Sequence, residues 1–151
     1  HSIRRRQRQM CIRDRGIANA IEPKKRPLSS MTPTIVFDLN GRPLLTTGSP
    51  GGSTIITIVL QVVLNVLTFE MGIAEATAAP RIHHQWLPDR IFIESGISKD
   101  TLNILEAMGH NLSQRQRIMG STQSIQKGPG VSIFGASDPR RDGAAAVPQL
   151  K

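Results

Sequence analysis

Apolar positions along the chain follow two different periods, and the change of period marks the elements. Thr34-Ile35-Val36-Phe37 is a short β-rich run, Asp38-Leu39-Asn40-Gly41 supplies a turn, and Pro43-Leu44-Leu45-Thr46-Thr47 is a second run. Together they predict a β-hairpin. Gly48-Ser49-Pro50-Gly51-Gly52 then breaks the strand. From Ser53 to about Met71 the period becomes helical. Thr57, Gln61 and Asn65 fall at i, i+4 and i+8 as a narrow polar stripe, and the rest of Ile55 to Leu67 is apolar. This predicts a largely buried helix with Ser53 as its N-cap. Its β-branched residues permit a strand, but the length favours a helix. The apolar stretch is interrupted, and it is shorter than the roughly 20 residues a membrane span needs.

Gly72 ends that helix, and Ile73 to Ala79 forms a short one stopped by Pro80. Arg81 to Trp86 reads as extended chain or loop, and Arg90 to Glu94 alternates as a strand. Ser98 caps a second amphipathic helix with Leu102, Leu105 and Met108 inward and Gly109 at its C-terminal end. Thr122 to Gln126 and Val131 to Phe134 make a final strand pair around Gly128-Pro129-Gly130. The order β-β-α-α-β-α-β-β predicts an α/β or α+β layer, a mostly antiparallel sheet covered by helices.

Composition narrows the class. A length of 151 residues allows one domain or a piece of a larger one. Hydrophobic residues at 38% and charged residues at 20% are not a disordered composition. With no Tyr, one Trp and four Phe, the chain has few rings on which bases could stack. The formal charge of +8 is unevenly placed: six arginines against Asp14 put +5 on residues 1–15 and leave +3 on the rest. A nucleic-acid arm is one reading of such a run. The reading favoured here is a non-native or disordered basic head at 1–15, since it lacks apolar periodicity and Met10 to Arg15 resembles translated adapter sequence. Residues 16–141 then form the body and 142–151 a flexible tail. The sole cysteine, Cys11, lies in the head, so the chain offers no internal disulfide and no cysteine-based metal site.

Candidate chemistry centres on Gly48-Ser49-Pro50-Gly51-Gly52-Ser53, which joins a strand to a helix N-terminus. Free amides there favour negative charge, and glycines allow close approach of a ligand. A phosphate cradle is disfavoured because no Walker Lys-Ser/Thr pair follows. An oxyanion hole and a plain structural turn both fit. Ser29-Ser30 can hold a carboxylate or simply shape a loop. Adjacent His83 and His84 point to opposite sides of a strand, and no Cys, Asp or Glu set completes a metal site, so both read as structural. Asp138 reads as a turn residue with a local ion pair. Nothing calls for a cofactor.

Five blocks in order resemble one family: Lys25 to Ile35, Thr47 to Ser53, Ala79 to Asp89, Gly120 to Ser124, and Gly135 to Arg140. From about Ala18 to Arg141 the chain is similar to the small subunit of gamma-glutamyltranspeptidases, which are N-terminal-nucleophile hydrolases with an αββα sandwich. The resemblance implies a precursor that cleaves itself and an N-terminal Thr activated by its own amine. That Thr attacks the gamma-glutamyl carbonyl of glutathione, and the acyl group passes to water or to an amino acid. It also implies that Ser29 and Ser30 bind the glutamyl α-carboxylate and that Gly51 and Gly52 give the oxyanion-hole amides. The partners implied are gamma-glutamyl compounds, the large subunit and the remainder of the small subunit, in a periplasmic or extracellular setting.

The Thr-x-His segment that carries the family's nucleophile lies upstream of the Ser-Ser block, and none precedes Ser29 in these 151 residues. The chain therefore resembles the C-terminal portion of the small subunit, with an incomplete sandwich and no activity alone. Competing readings are a fragment of a related cephalosporin-type acylase and a non-catalytic basic interaction protein. Intact Ser29-Ser30 favours glutamyl recognition over the acylase. A helix apolar on nearly all sides predicts exposed apolar surface when the chain stands alone.

Overall fold

A computed structural model of the chain describes residues 22–26 and 29–146. The basic head, Cys11 and the end of the tail lie outside the described residues. Among the described residues, six strands and three α-helices follow in the order β1 (Thr34–Phe37), β2 (Pro43–Gly48), α1 (Ile55–Leu67), α2 (Ile73–Ala78), β3 (Ile82–His84), β4 (Ile91–Ile93), α3 (Lys99–Ala107), β5 (Gln123–Lys127) and β6 (Ile133–Ser137). The segment left open between strand and loop, Arg81 to Trp86, contains β3. The predicted order was therefore one strand short.

β1, β2, β5 and β6 form one antiparallel sheet in that order, and β3 pairs with β4 in a second, two-stranded sheet. The first hairpin closes as its residues dictate. The Asp38 carboxylate accepts from the amides of Asn40 (2.9 Å) and Arg42 (2.8 Å), while its carbonyl accepts from the Gly41 amide. The last strand pair is displaced from the sequence expectation: β6 begins at Ile133 and runs on to Ser137.

Alternation in the four-stranded sheet sends Leu45, Thr47, Ser124 and Ala136 inward against α1 and α2. The core is Leu45, Val62, Val66, Ile73, Ala76 and Ala136, with Val36, Val63 and Met71 at its edge. At about 25 cal/mol per Å² of apolar area, such burial is the main favourable contribution to folding. The opposite face carries Ile35, Phe37, Ile125 and Ile133, all exposed. The four-stranded sheet thus carries helices on one side and leaves the other open, which is one half of a helix–sheet–sheet–helix sandwich.

α1 departs from its prediction at both ends. Ser53 does not cap it; a 3₁₀ turn at Gly52–Thr54 leads in, and Thr54 occupies the cap position without a side-chain cap bond. The helix stops at Leu67, four residues before Met71, and Glu70 adopts φ 56° in the turn that follows. Its polar stripe does not face solvent. The Thr57 hydroxyl pairs with His83 Nδ1 (2.7 Å), and the Gln61 amide bonds both the N–H and the C=O of Ile82 like an extra strand residue. The open face instead carries Ile56, Leu60, Leu64 and Leu67, so α1 is buried on one side only within this chain. α3 is capped as predicted, the Ser98 hydroxyl accepting from the Thr101 amide. Gly109 and His110 close its end with amides bonded to Glu106 and Leu105 carbonyls. Leu102 and Leu105 are half-buried, but Met108 is exposed, contrary to expectation.

Candidate active site

Two segments 22 residues apart meet at the start of α1. The Ser30 hydroxyl donates to the Gly52 carbonyl at 2.7 Å. The Ser29 hydroxyl accepts from the Met31 amide at 3.2 Å, fixing a local turn. Gly51 (φ 153°) and Gly52 (φ 61°) lie in backbone regions that side-chain-bearing residues rarely adopt. A Cβ on Gly51 would sit 2.7 Å from Thr54 Oγ1. The carbonyls of the pair are occupied: Gly51 accepts from the Thr54 amide and hydroxyl, and Gly52 accepts from Ser30 and from the Ile55 amide. Among the described residues no group accepts from the amides of Gly51 or Gly52. The corner therefore offers backbone N–H groups at the positive end of α1, beside two serines, as an anion-receptive arrangement.

A buried charge network stands behind this corner, and most of it leaves no periodic signal along the chain. Arg81 is 1% exposed and Asp138 also 1%. Arg81 Nη2 bonds Asp138 Oδ2 (2.7 Å), Thr122 Oγ1 and the Thr77 carbonyl, while Nη1 bonds the Met119 carbonyl (2.8 Å). The Glu94 carboxylate takes the Arg81 and Met119 amides and the Arg140 guanidinium. Arg140 also reaches Asp138 Oδ1 at 3.1 Å. Burial alone raises the Asp138 pKa. The amides of Thr122 and Arg140 and the Arg81 guanidinium outweigh that effect and hold it at about 2. Burial lowers the Arg81 pKa, with the Arg140 charge adding to it, against the opposing pull of Asp138 and Glu94. For Arg140, Glu94 and Asp138 outweigh burial and raise it. The turn and ion-pair role read for Asp138 holds, since Arg140 N also bonds Asp138 Oδ1 at 2.9 Å. Glu94 and Arg81 escaped sequence reasoning because a single charged residue in an apolar run carries no spacing signal.

His83 and His84 separate as the strand period requires. His83 is buried, bonded to Thr57 and Gln85 and stacked near Phe92. His84 is exposed and pairs with Asp89 at 3.0 Å. No group of three or more His, Cys, Asp or Glu that could hold a metal occurs among the described residues. No described helix is long and apolar enough to cross a membrane.

The sequence of the whole chain decides the lineage. The family model for gamma-glutamyltranspeptidase matches residues 3–148. The chain belongs to the gamma-glutamyltranspeptidase family. It is 58% identical over 125 residues to a glutathione hydrolase proenzyme of Escherichia coli, an alignment that covers 83% of this chain and 21% of that protein. It superposes on the gamma-glutamyltranspeptidase of Helicobacter pylori with a TM-score of 0.77 at 49% identity, covering 84% of this chain and 69% of that one. A cephalosporin acylase from Bacillus halodurans shares the fold, with a TM-score of 0.65 at 24% identity over 74% of this chain and 21% of that one. The fold is thus that of the N-terminal-nucleophile hydrolases, incomplete in this chain. The chain spans about a fifth of the length of the curated relatives it matches.

Proposed function

We propose that residues 16–141 are the C-terminal portion of the small subunit of a gamma-glutamyltransferase and glutathione hydrolase, with 1–15 a basic head and 142–151 a tail. In this reading Ser29 and Ser30 hold the glutamyl α-carboxylate. The amides of Gly51 and Gly52 receive the oxyanion that forms when a Thr hydroxyl attacks the gamma-glutamyl carbonyl. The Thr and its activating amine come from the remainder of the small subunit, the large subunit completes the pocket, and the assembled enzyme works in the periplasm or outside the cell. Collapse of the tetrahedral intermediate expels the leaving amine and leaves a glutamyl ester on Thr, which water or an amino acid then resolves. The amides carry the charge that develops on the carbonyl oxygen, and one such donor is typically worth about 2.7–4 kcal/mol.

The observation that carries this reading is the Ser30–Gly52 bond, because it joins the proposed carboxylate site to the proposed oxyanion site in one corner. The test places residues 18–141 in the corresponding position of the Escherichia coli relative. Hydrolysis of glutathione by that chimera, with Ser29→Ala and Ser30→Ala each raising KM, is the expected result. A folded, processed chimera whose KM ignores both substitutions overturns the assignment.

A further inference from the structure

Gly120 has no part in the site as read so far, yet it is among the most tightly hemmed glycines of the chain. Its φ is 67°. A Cβ there would lie 2.5 Å from Ser49 Oγ, 2.7 Å from Ile58 Cδ1 and 2.9 Å from the Pro50 carbonyl oxygen. Any side chain would collide with the backbone that enters the glycine turn. The next residue bonds the same place: the Ser121 amide donates to Ser49 Oγ at 3.1 Å, and Ser49 Oγ donates to the Pro50 carbonyl at 2.8 Å. One hydroxyl thus ties the 120–121 backbone to the carbonyl of the peptide group whose N–H is the Gly51 amide.

The segment that bears on the turn is itself pinned at both ends. Met119 is bonded at its amide to Glu94 (2.6 Å) and at its carbonyl to Arg81 (2.8 Å). Thr122 is bonded at its amide to Asp138 (2.8 Å) and at its hydroxyl to Arg81 (3.0 Å). Met119 and Thr122 are fully buried, and the two residues between them face Ser49 and Pro50. The buried charges therefore hold a short strut, and the strut's backbone at Gly120 and Ser121 meets the turn.

We propose that Gly120 and Ser49 are positioning residues that set the direction of the Gly51 and Gly52 amides. Gly120 does so by allowing contact at the Pro50 carbonyl, Ser49 by bridging Ser121 to that carbonyl. The proposal rests on the reading of the turn as the oxyanion site. Neither residue touches substrate; both act on the Pro50–Gly51 peptide plane, which carries the first donor and leads into the second. Because oxyanion donors act in the transition state, their misdirection lowers kcat and leaves KM little changed.

The test has two arms. In the 151-residue chain, N–H residual dipolar couplings report the directions of the Gly51 and Gly52 amides. Ser49→Ala and Gly120→Ala are expected to move both, while Val62 in α1 stays fixed. Unchanged couplings at Gly51 and Gly52 overturn the proposal. Ser49→Ala adds no bulk and decides the matter if Gly120→Ala does not fold. In the full-length enzyme carrying this chain, Ser49→Ala is expected to lower kcat for glutathione hydrolysis by about tenfold, less than outright loss of a donor. KM should stay within about twofold, and Ser49→Thr should restore most of the rate. An active enzyme in which Ser49→Ala leaves kcat unchanged overturns the proposal as well. A full-length enzyme inactive without any substitution overturns the reading of the turn instead, and the dipolar couplings still decide the positioning claim.

Discussion

Ser30 and Asp138 show how differently single polar residues act in this chain. Ser30 donates its single hydroxyl proton to the Gly52 carbonyl, so holding a carboxylate requires the hydroxyl to turn that proton from the carbonyl to the ligand. If Ser30 holds the glutamyl carboxylate as proposed, its removal takes away a charge-assisted bond worth about 1.5–3 kcal/mol, so Ser30→Ala in the chimera should raise KM for glutathione by roughly 10- to 100-fold in steady-state kinetics. Asp138 instead lies in the buried network with Arg81 and Arg140. Removing one partner of such a pair leaves an uncompensated buried charge, so Asp138→Asn should cost about 3–5 kcal/mol in denaturant unfolding. Its pKa is held below the carboxylate value of 3.8, at about 2. The stability it supplies is therefore complete above pH of about 4 and is lost as pH falls through about 2. Asp138→Asn should abolish that acid-dependent part, which a pH series of melting curves measures. Among residues, the family resemblance singled out the serine pair and the glycine pair, which meet at one corner through the Ser30–Gly52 bond. Arg81 and Glu94 were not legible in the sequence, because their partners are 57 and 46 residues away in sequence and no local period connects such pairs.

At the scale of elements, the first hairpin was legible because Asp38 and Gly41 supply the turn chemistry locally. The limits of α1 were not. Ser53 has the composition of an N-cap, yet the two glycines before it turn the chain through a 3₁₀ step that moves the cap to Thr54. The stripe of Thr57, Gln61 and Asn65 was visible as a stripe, but its direction depends on β3 and α2, whose backbone groups it satisfies. The face left open is Ile56, Leu60, Leu64 and Leu67. Because Leu60 and Leu64 remain 52% and 39% exposed, Leu60→Glu with Leu64→Lys should lower its unfolding free energy by no more than about 1 kcal/mol per site. The same pair should reduce self-association in sedimentation velocity. Destabilisation by several kcal/mol would show that α1 packs otherwise.

For the molecule as a whole, one sheet covered on one side leaves two apolar faces open: the outer sheet face with Ile35, Phe37, Ile125 and Ile133, and the open face of α1. These are the surfaces expected of a part, and the chain's match to about a fifth of its curated relatives agrees with that. The uneven charge bears on the competing reading of the basic head as a nucleic-acid arm. Of the net +8, +5 lies in residues 1–15, so deletion of those residues should remove salt-dependent DNA binding. Undiminished binding would place the cationic surface in the body. The most direct test of the central claim is glutamate release from glutathione by the Escherichia coli relative with residues 18–141 substituted in, beside the 151-residue chain alone. The account predicts release by the processed chimera and none by the chain. A folded and processed chimera that releases no glutamate, or release by the chain alone, would contradict it.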